Sequence, residues 1–303
     1  IGDKLTGLDS EAAATAIDTH IATPLGISVH EAAEAIIRVA NAKMAGAIRL
    51  ISIERGHDPK RFAAMPFGGG GALHAGALVR EIGLAAAIVP RFPGVNSALG
   101  CVMSDLRHDE VRTLNRMLDA LDCEELARMI DEITLSSEEV IRRSKASIEG
   151  LHCIIELDML YLGQTHAVAV PLAVTADGLT TGTIRAAFDA SYKRTYGRLL
   201  ENIPVRVLNL RLSVIGRRPE VDIASLARGE RAETVDDCHL ADQRIFADGK
   251  WHDGAIIDRL RLPEGAVVSG PCLLVQPDAT IYVDPGLAAR VDGLGNIIIE
   301  EEG

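Results

Sequence analysis

The sequence predicts an α/β layered domain followed by an α+β domain that ends in β-structure. Three observations carry this. Between residues 62 and 89 a short apolar run, four consecutive glycines, a helical pattern and a second apolar run follow one another, the order of a βαβ unit. After Asp109 the pattern changes to a long charged amphipathic segment and then to short strands separated by Pro and Gly. The acidity shifts too: residues 1–110 hold 10 basic and 12 acidic side chains, whereas 111–303 hold 21 and 31. These place the domain boundary near residue 110, with 1–110 and 111–303 as the two units.

Residues 9–23 are Ala-rich and predict a short helix stopped by Pro24-Leu25-Gly26. Ser28-Val29-His30-Glu31 is a capping box, in which the Ser28 hydroxyl takes a free amide and Glu31 reaches back to the cap. The helix it opens runs to about Arg49, with Ala33, Ile36, Ile37, Ala40, Met44 and Ile48 as its core face. Strands are expected over 62–67 and 84–89, with a helix from Ala72 to Ile82 between them. Next come a helix over 120–148, two strands within 151–172 around Leu162-Gly163-Gln164, and a helix over 180–196. Residues 205–215 alternate as a half-buried strand. A loop covers 219–242, and Asp248-Gly249 reads as a hairpin turn. Short strands follow at 255–258, 266–268, 272–276, 280–283, 288–291 and 296–300.

Apolar residues make up 48% of the chain and charged residues 24%, enough for a sizeable core. A net charge of −12 repels phosphate backbones and anionic lipid, so nucleic acid and membranes are not expected as partners. Only 3% of residues are aromatic, which also argues against base stacking. Cys101, Cys123, Cys153, Cys238 and Cys272 are odd in number, widely spaced and without a CxxC pair, as in reduced cytoplasmic proteins. No apolar run reaches the roughly 18 residues of a membrane span. The start at Ile1-Gly2-Asp3-Lys4 has neither an initiator Met nor a signal-peptide core, which reads as a segment of something longer.

Phe67-Gly68-Gly69-Gly70-Gly71-Ala72-Leu73-His74 is the sharpest local feature. Glycines at a strand-to-helix turn let the backbone pass close to a ligand and permit positive φ. Free amides at the following helix start favour an anion or a nucleotide's polar rim. No Lys-Ser or Lys-Thr follows, so this is no Walker loop, and the dinucleotide fingerprint is not satisfied. The spacing alone leaves two uses equally open, a ligand turn or a packing turn. His74, near the positive end of a helix, is biased towards the neutral ring and can exchange a hydrogen bond with a ligand. A backbone-bonded histidine reads as well from the sequence. No His or Asp spacing marks a metal site. His57-Asp58 reads as a turn device, His152-Cys153 as opposite faces of a strand, and the stretch holding Asp105, His108 and Asp109 as a solvated linker. No nucleophile motif is present.

Read together, several blocks resemble the hydantoinase A/5-oxoprolinase family, specifically its rear half. They are IATPLGISVHEAAEAIIRVANAKMAGAIRLISIERGHDPKRF (21–62), FGGGGALHAGALVREIGLAAAIVPRFPGVNSALGCVMSD (67–105), LDMLYLGQ (157–164), FDASYKRTYG (188–197), VRVLNLRLSVIGRRP (205–219), GPCLLVQPDATIYVDPG (270–286) and DGLGNIII (292–299). They cover nearly the whole chain, in the family's order.

The resemblance implies that residues 1–110 form the rear part of an actin/hexokinase-like (ribonuclease H-like) ATPase lobe, followed by the family's C-terminal domain. It implies that Gly68, Gly69, Gly70, Gly71 and His74 form an adenosine-binding turn, faced by the helix carrying Asn41. ATP and Mg2+ are the implied cofactors, working with an N-terminal lobe this chain does not contain. The implied partners are a hydantoinase B-type subunit, in a hetero-oligomer, and a cyclic amide substrate. The family opens hydantoins and 5-oxoproline, or activates ketones for carboxylation in acetone- and acetophenone-type carboxylases; docking a partner subunit as a non-catalytic scaffold is the third role considered. A resonance-stabilised amide is a poor electrophile, and phosphorylating its oxygen makes that oxygen a leaving group. Three positions depart from the family's pattern. Ala72 stands where a proline is usual, Leu160 where an arginine is usual, and Arg198 where a histidine often follows Tyr-Gly. No catalytic residue is assigned.

Overall fold

The computed structural model describes residues 9–173, 178–227 and 229–302; the start at Ile1 lies outside them. The chain forms two compact units, one of residues 1–102 with 222–303 and one of residues 103–221. The division therefore departs from the one expected at residue 110. The cause is strand pairing: the β-rich tail returns to the first unit and completes its sheet.

In the first unit, α1 (Ser10–Ile17) continues through a π-turn at Asp18–Ala22 into α2 (Thr23–Leu25). The run ends within Pro24-Leu25-Gly26, as the sequence predicts, with Pro24 itself inside its last turn. The wider π-turn precedes the proline, where its ring would otherwise meet the carbonyl four residues back. Left-handed Gly26 is the residue of that stop that ends the run. The capping box forms as read, with Ser28 Oγ accepting from the Glu31 amide and the Ser28 amide donating to Glu31 Oε2 at 2.8 Å. It opens α3 (Val29–Ile51). Only Ala32, Asn41 and Ala45 of α3 are buried, with Met44 and Ile48 packed against Leu78, Ile82 and Leu84. Ile36 and Ile37, expected in the core, are 41% and 50% exposed.

The βαβ unit is present. β1 (Ala63–Ala64) pairs in parallel with β2 (Ala86–Val89) across α4 (Ala75–Ile82), and α5 (Asn96–Met103) follows. β1 has two residues because a 3-10 turn at Pro59–Arg61 precedes it and the Pro66 and glycine turn follows.

The tail supplies β7 (His239–Ala247), β8 (Lys250–Asp258), β9 (Val267–Ser269), β10 (Cys272–Gln276), β11 (Ala279–Val283), β12 (Leu287–Val291) and β13 (Ile297–Glu301), which follow the four strands of the second unit in the chain. One sheet has the order β1-β2-β13-β12-β9, and Ile297, Ile298 and Ile299 of β13 pair antiparallel with Val89, Ile88 and Ala87 of β2. The other has the order β11-β10-β8-β7. Their alternating buried residues, among them Val89, Leu274, Ile281, Leu287 and Ile299, form one core with Ala72, Ala75 and Val79. Asp248 (φ 53°) and Gly249 (φ 72°) are both left-handed, the signature of a two-residue type I′ hairpin between β7 and β8. Arg259 is buried beneath the core's edge. Its guanidinium donates to the carbonyls of Val89 (3.1 Å) and Pro90 (2.6 Å) and to Gln276 Oε1, and burial lowers its pKa to about 9.

The second unit is a four-stranded antiparallel sheet of β3 (Leu106–Met117), β4 (Gly150–Tyr161), β5 (Val168–Pro171) and β6 (Val205–Arg217), in the order β3-β6-β4-β5. α6 (Cys123–Arg143) packs Leu126, Ile130, Ile133 and Ile141 into its core. α7 (Thr181–Tyr196) adds Ile184, Phe188 and Tyr192. The Tyr161 ring meets Phe188 and Tyr192 edge-on at 4.9 and 4.7 Å. The stretch read as a solvated linker is β3: Asp105 accepts from the Arg218 amide at 2.8 Å, and Asp109 accepts from Ser213 Oγ and Arg107. Charged edge strands resist pairing with other chains, which is why β3 does not look like a strand. Leu160 is a buried strand residue, and Asp158 beside it is held by Arg211 and Asn209 at 2.8 Å.

Candidate functional site

The glycine turn lies between β1 and a 3-10 turn at Gly71–His74 that leads into α4. Of its four glycines only Gly68 has positive φ, at +85°, and its amide donates to the Pro93 carbonyl at 2.7 Å. A Cβ on Gly69 would sit 3.7 Å from the Asp278 carbonyl oxygen, an ordinary contact, and one on Gly70 would meet nothing within 4 Å. Both are exposed. Neither backbone strain nor packing within the described residues therefore requires glycine at 69 or 70.

Packing does demand glycine elsewhere, and Gly76 and Gly94 are two such positions near this turn. A Cβ on Gly76 would lie 2.0 Å from Asp284 Oδ2 and 2.6 Å from Leu287 Cδ1. One on Gly94 would lie 2.5 Å from the Asp278 carbonyl oxygen, and the Gly94 amide donates to Asp278 Oδ2 at 2.9 Å.

Two residues singled out from the sequence come together. Ala72 and Ala75, both fully buried, seat the start of α4 on the core, and His74 stands at its N-cap position without a side-chain bond to the helix amides. Across from it α3 presents Asn41, which is 5% exposed. His74 Nδ1 and Asn41 Oδ1 are 2.7 Å apart.

The pair lines a cleft of about 1180 Å³, walled by α3 and α4 and floored by the β7–β8 hairpin and the end of β11. Gly68–Gly71 precede it in the chain but do not line it. Both walls are tied to the floor. Glu34 on α3 accepts from the hairpin amides of Asp248 (2.6 Å) and Gly249 (3.2 Å). Arg80 on α4 donates to the Pro285 carbonyl. Ala33, Ile37, Leu73 and Ala77 make much of the lining apolar, as ligand clefts usually are. At the hairpin the His30 ring stacks edge-on against Trp251 at 4.8 Å.

The floor holds a partly buried acid. Burial pushes the Asp284 carboxyl up to about 6, against the pull of Arg80, and raises the neighbouring Tyr282 phenol as well. Asp284 Oδ2 and the Tyr282 hydroxyl are buried without a hydrogen-bond partner among the described residues. The sequence carried no local signal for them, since VDPG reads only as a strand end. Among the described residues no group of three or more His, Cys, Asp or Glu is placed to hold a metal, and no helix is long and apolar enough to cross a membrane. The magnesium implied by the resemblance therefore has no ligand assigned in this chain.

Two family models match the chain: hydantoinase/oxoprolinase over residues 3–110, and the hydantoinase/oxoprolinase C-terminal domain over residues 116–299. The chain is 31% identical over 289 residues to caprolactamase subunit alpha of Pseudomonas jessenii, covering 94% of this chain and 42% of that one. The crystal structure of the ATP-dependent caprolactamase of that organism superposes with a TM-score of 0.68 at 28% identity, over 100% of this chain and 45% of that one. 5-Oxoprolinase 1 of Arabidopsis thaliana is 26% identical over 278 residues, covering 91% of this chain and 21% of that protein. A nucleotide-free acetone carboxylase structure shares the fold, with a TM-score of 0.78 at 23% identity over 98% of this chain and 43% of that one. The chain thus spans less than half the length of the relatives it matches.

Proposed function

Because this chain belongs to the hydantoinase/oxoprolinase family, we propose that it supplies the adenosine side of an ATP-dependent enzyme that activates a cyclic amide for ring opening. In this reading residues up to about 110 are the rear part of an actin-like ATPase lobe. In it the nucleoside lies at the His74 end of the cleft, against Asn41 and His74, and Gly69 and Gly70 flank that end from beyond the cleft lining. ATP, when bound, supplies the phosphoryl group that turns the amide oxygen into a leaving group. The groups that hold the β- and γ-phosphates and magnesium lie outside this chain, as does the B-type partner subunit.

One observation carries the reading: Gly69 and Gly70 are exposed glycines that the described structure does not itself require. A bare backbone at such a place leaves room for something outside the chain. Replacing either by Val tests it. Surface changes of this kind shift stability by about 0.5 kcal/mol or less, so the melting temperature stays close to that of the wild type. ATP affinity of the full-length protein falls about tenfold or more. A variant that binds ATP normally removes the turn from the site.

Turnover is tested by substrate-dependent ATP hydrolysis by the full-length protein with its partner subunit, across hydantoins, 5-oxoproline, caprolactam and simple ketones. Stimulation by ketones alone moves the assignment to ATP-dependent carboxylation, which the fold shared with acetone carboxylase keeps as the second reading. The 303-residue chain alone is expected to turn over no ATP, because in-line transfer needs groups on the β- and γ-phosphates. Robust turnover by it would overturn the half-site assignment.

A further inference from the structure

We infer that Asn41 fixes the proton of His74 on Nδ1, so that Nε2 is a bare acceptor offered to the cleft, and that this end of the cleft takes a neutral hydrogen-bond donor of a nucleoside and not a phosphate. The inference rests on the adenosine reading above and sharpens it. An amide oxygen can only accept, so the 2.7 Å contact between Asn41 Oδ1 and His74 Nδ1 requires the hydrogen on Nδ1. In the neutral ring the other nitrogen then carries only a lone pair. Among the described residues Nε2 has no hydrogen-bond partner, and His74 lines the cleft.

The contact is a built one. Asn41 is buried on α3, and α3 is held at one end by its capping box and near the cleft by Glu34 on the hairpin. His74 is seated by the buried alanines on either side of its turn. Neither side chain needs to move when a ligand arrives, so the ordering cost of the contact is already met.

A bare Nε2 repels a phosphate oxygen, which also presents lone pairs. It accepts from a ribose hydroxyl or from the exocyclic amine of a purine. Asn41 acts through His74 and is a positioning residue; His74 is the ligand contact.

Histidine-selective 15N labelling of the chain reads the tautomer directly, with His74 assigned by loss of its signal in His74→Gln. The expected spectrum shows Nδ1 protonated and Nε2 unprotonated. Adenosine then moves the Nε2 resonance and inorganic pyrophosphate does not. Affinity falls roughly tenfold for one of 2′-deoxyadenosine, 3′-deoxyadenosine or purine riboside. The analogue that loses affinity names the donor as a ribose hydroxyl or the amine.

Asn41→Asp keeps an acceptor for Nδ1 but sets a negative charge against the ring, which favours a second proton on Nε2. Its spectrum is expected to show that proton and its ring to respond to pyrophosphate, where the wild type does neither. Asn41→Leu removes the acceptor, and yields a mixed tautomer that binds adenosine and the weak analogue alike. If Asn41→Leu does not fold, the wild-type and Asn41→Asp spectra still decide. In the wild type, a proton on Nε2, a pyrophosphate-sensitive ring, or equal affinity for all three analogues overturns the inference while leaving adenosine binding intact. Absence of any nucleoside or ATP binding, in this chain and in the full-length protein, instead fails the adenosine reading itself.

Discussion

Asp284 and Gly76 depend on each other at the scale of single residues. The carboxyl reaches the cleft floor only because α4 offers a hydrogen where any other residue has a Cβ. Gly76→Ala gains helix propensity of about 1 kcal/mol but forces the Asp284 and Leu287 side chains apart, which costs about 1–3 kcal/mol. A lowered melting temperature is expected, and it should recover when Asp284→Ala is added. The acid also sets a pH dependence. Its carboxyl ordinarily titrates at 3.8 and is held at about 6 in the folded chain. Between about pH 4 and 6 the folded state therefore keeps a proton the unfolded state has released, and stability is lost as pH rises through that window. The size is roughly 2–4 kcal/mol at about 1.4 kcal/mol per pH unit. Denaturant midpoints of the wild type and Asp284→Asn across this range should converge at the acid end and separate above pH 6, with the variant the more stable. Parallel curves would show that Asp284 does not titrate there.

At the scale of elements, what could be read from sequence was what is encoded within a few residues. Ser28 and Glu31 form the box their spacing promised, and Asp248-Gly249 makes the turn. The helix expected over 180–196 forms at Thr181–Tyr196. What was missed depends on distant partners. β3 is a strand because β6 pairs with it along its length, while its own residues are too charged to announce it. Ile36 and Ile37 have the periodicity of a core face, yet the described unit leaves each of them about half exposed. Two measurements probe the elements directly. Ser28→Ala removes a cap hydrogen bond and should cost about 1 kcal/mol of stability. Gly249→Ala meets no atom within 4 Å, so its cost is that of left-handed backbone alone, about 1–2 kcal/mol. A larger loss there would mean that the hairpin's hold on Glu34 had also failed.

At the scale of the molecule, the family resemblance and the compact units divide the chain differently. The family models meet between residues 110 and 116, but β13 pairs with β2 and the two share one core. Period and composition could not show this, because pairing across more than 200 residues leaves no local trace. The candidate site follows the same rule. His74 was legible in its turn and Asn41 only through resemblance, whereas their contact and the Asp284 floor exist only once three separate stretches meet. Residues 1–110 expressed alone are therefore expected not to fold, since β2 lacks β13 and Ala72, Ala75 and Val79 lack the opposing core. Residues 103–221 carry a complete sheet and core and should give a cooperative thermal transition by circular dichroism. A folded 1–110 fragment would restore the boundary expected from sequence.

The pairing of β2 with β13 also imposes a timetable on synthesis. Val89 leaves the ribosome long before Ile297, its partner, and at 5–20 residues per second that gap of about 200 residues lasts roughly 10–40 s. Throughout it, the first hundred residues carry a strand with one edge unpaired and an uncovered apolar surface, while the intervening unit emerges with every strand it needs and can close first. The early segment is thus the part of the nascent chain most in need of chaperone protection, and it becomes native only when the last strand arrives.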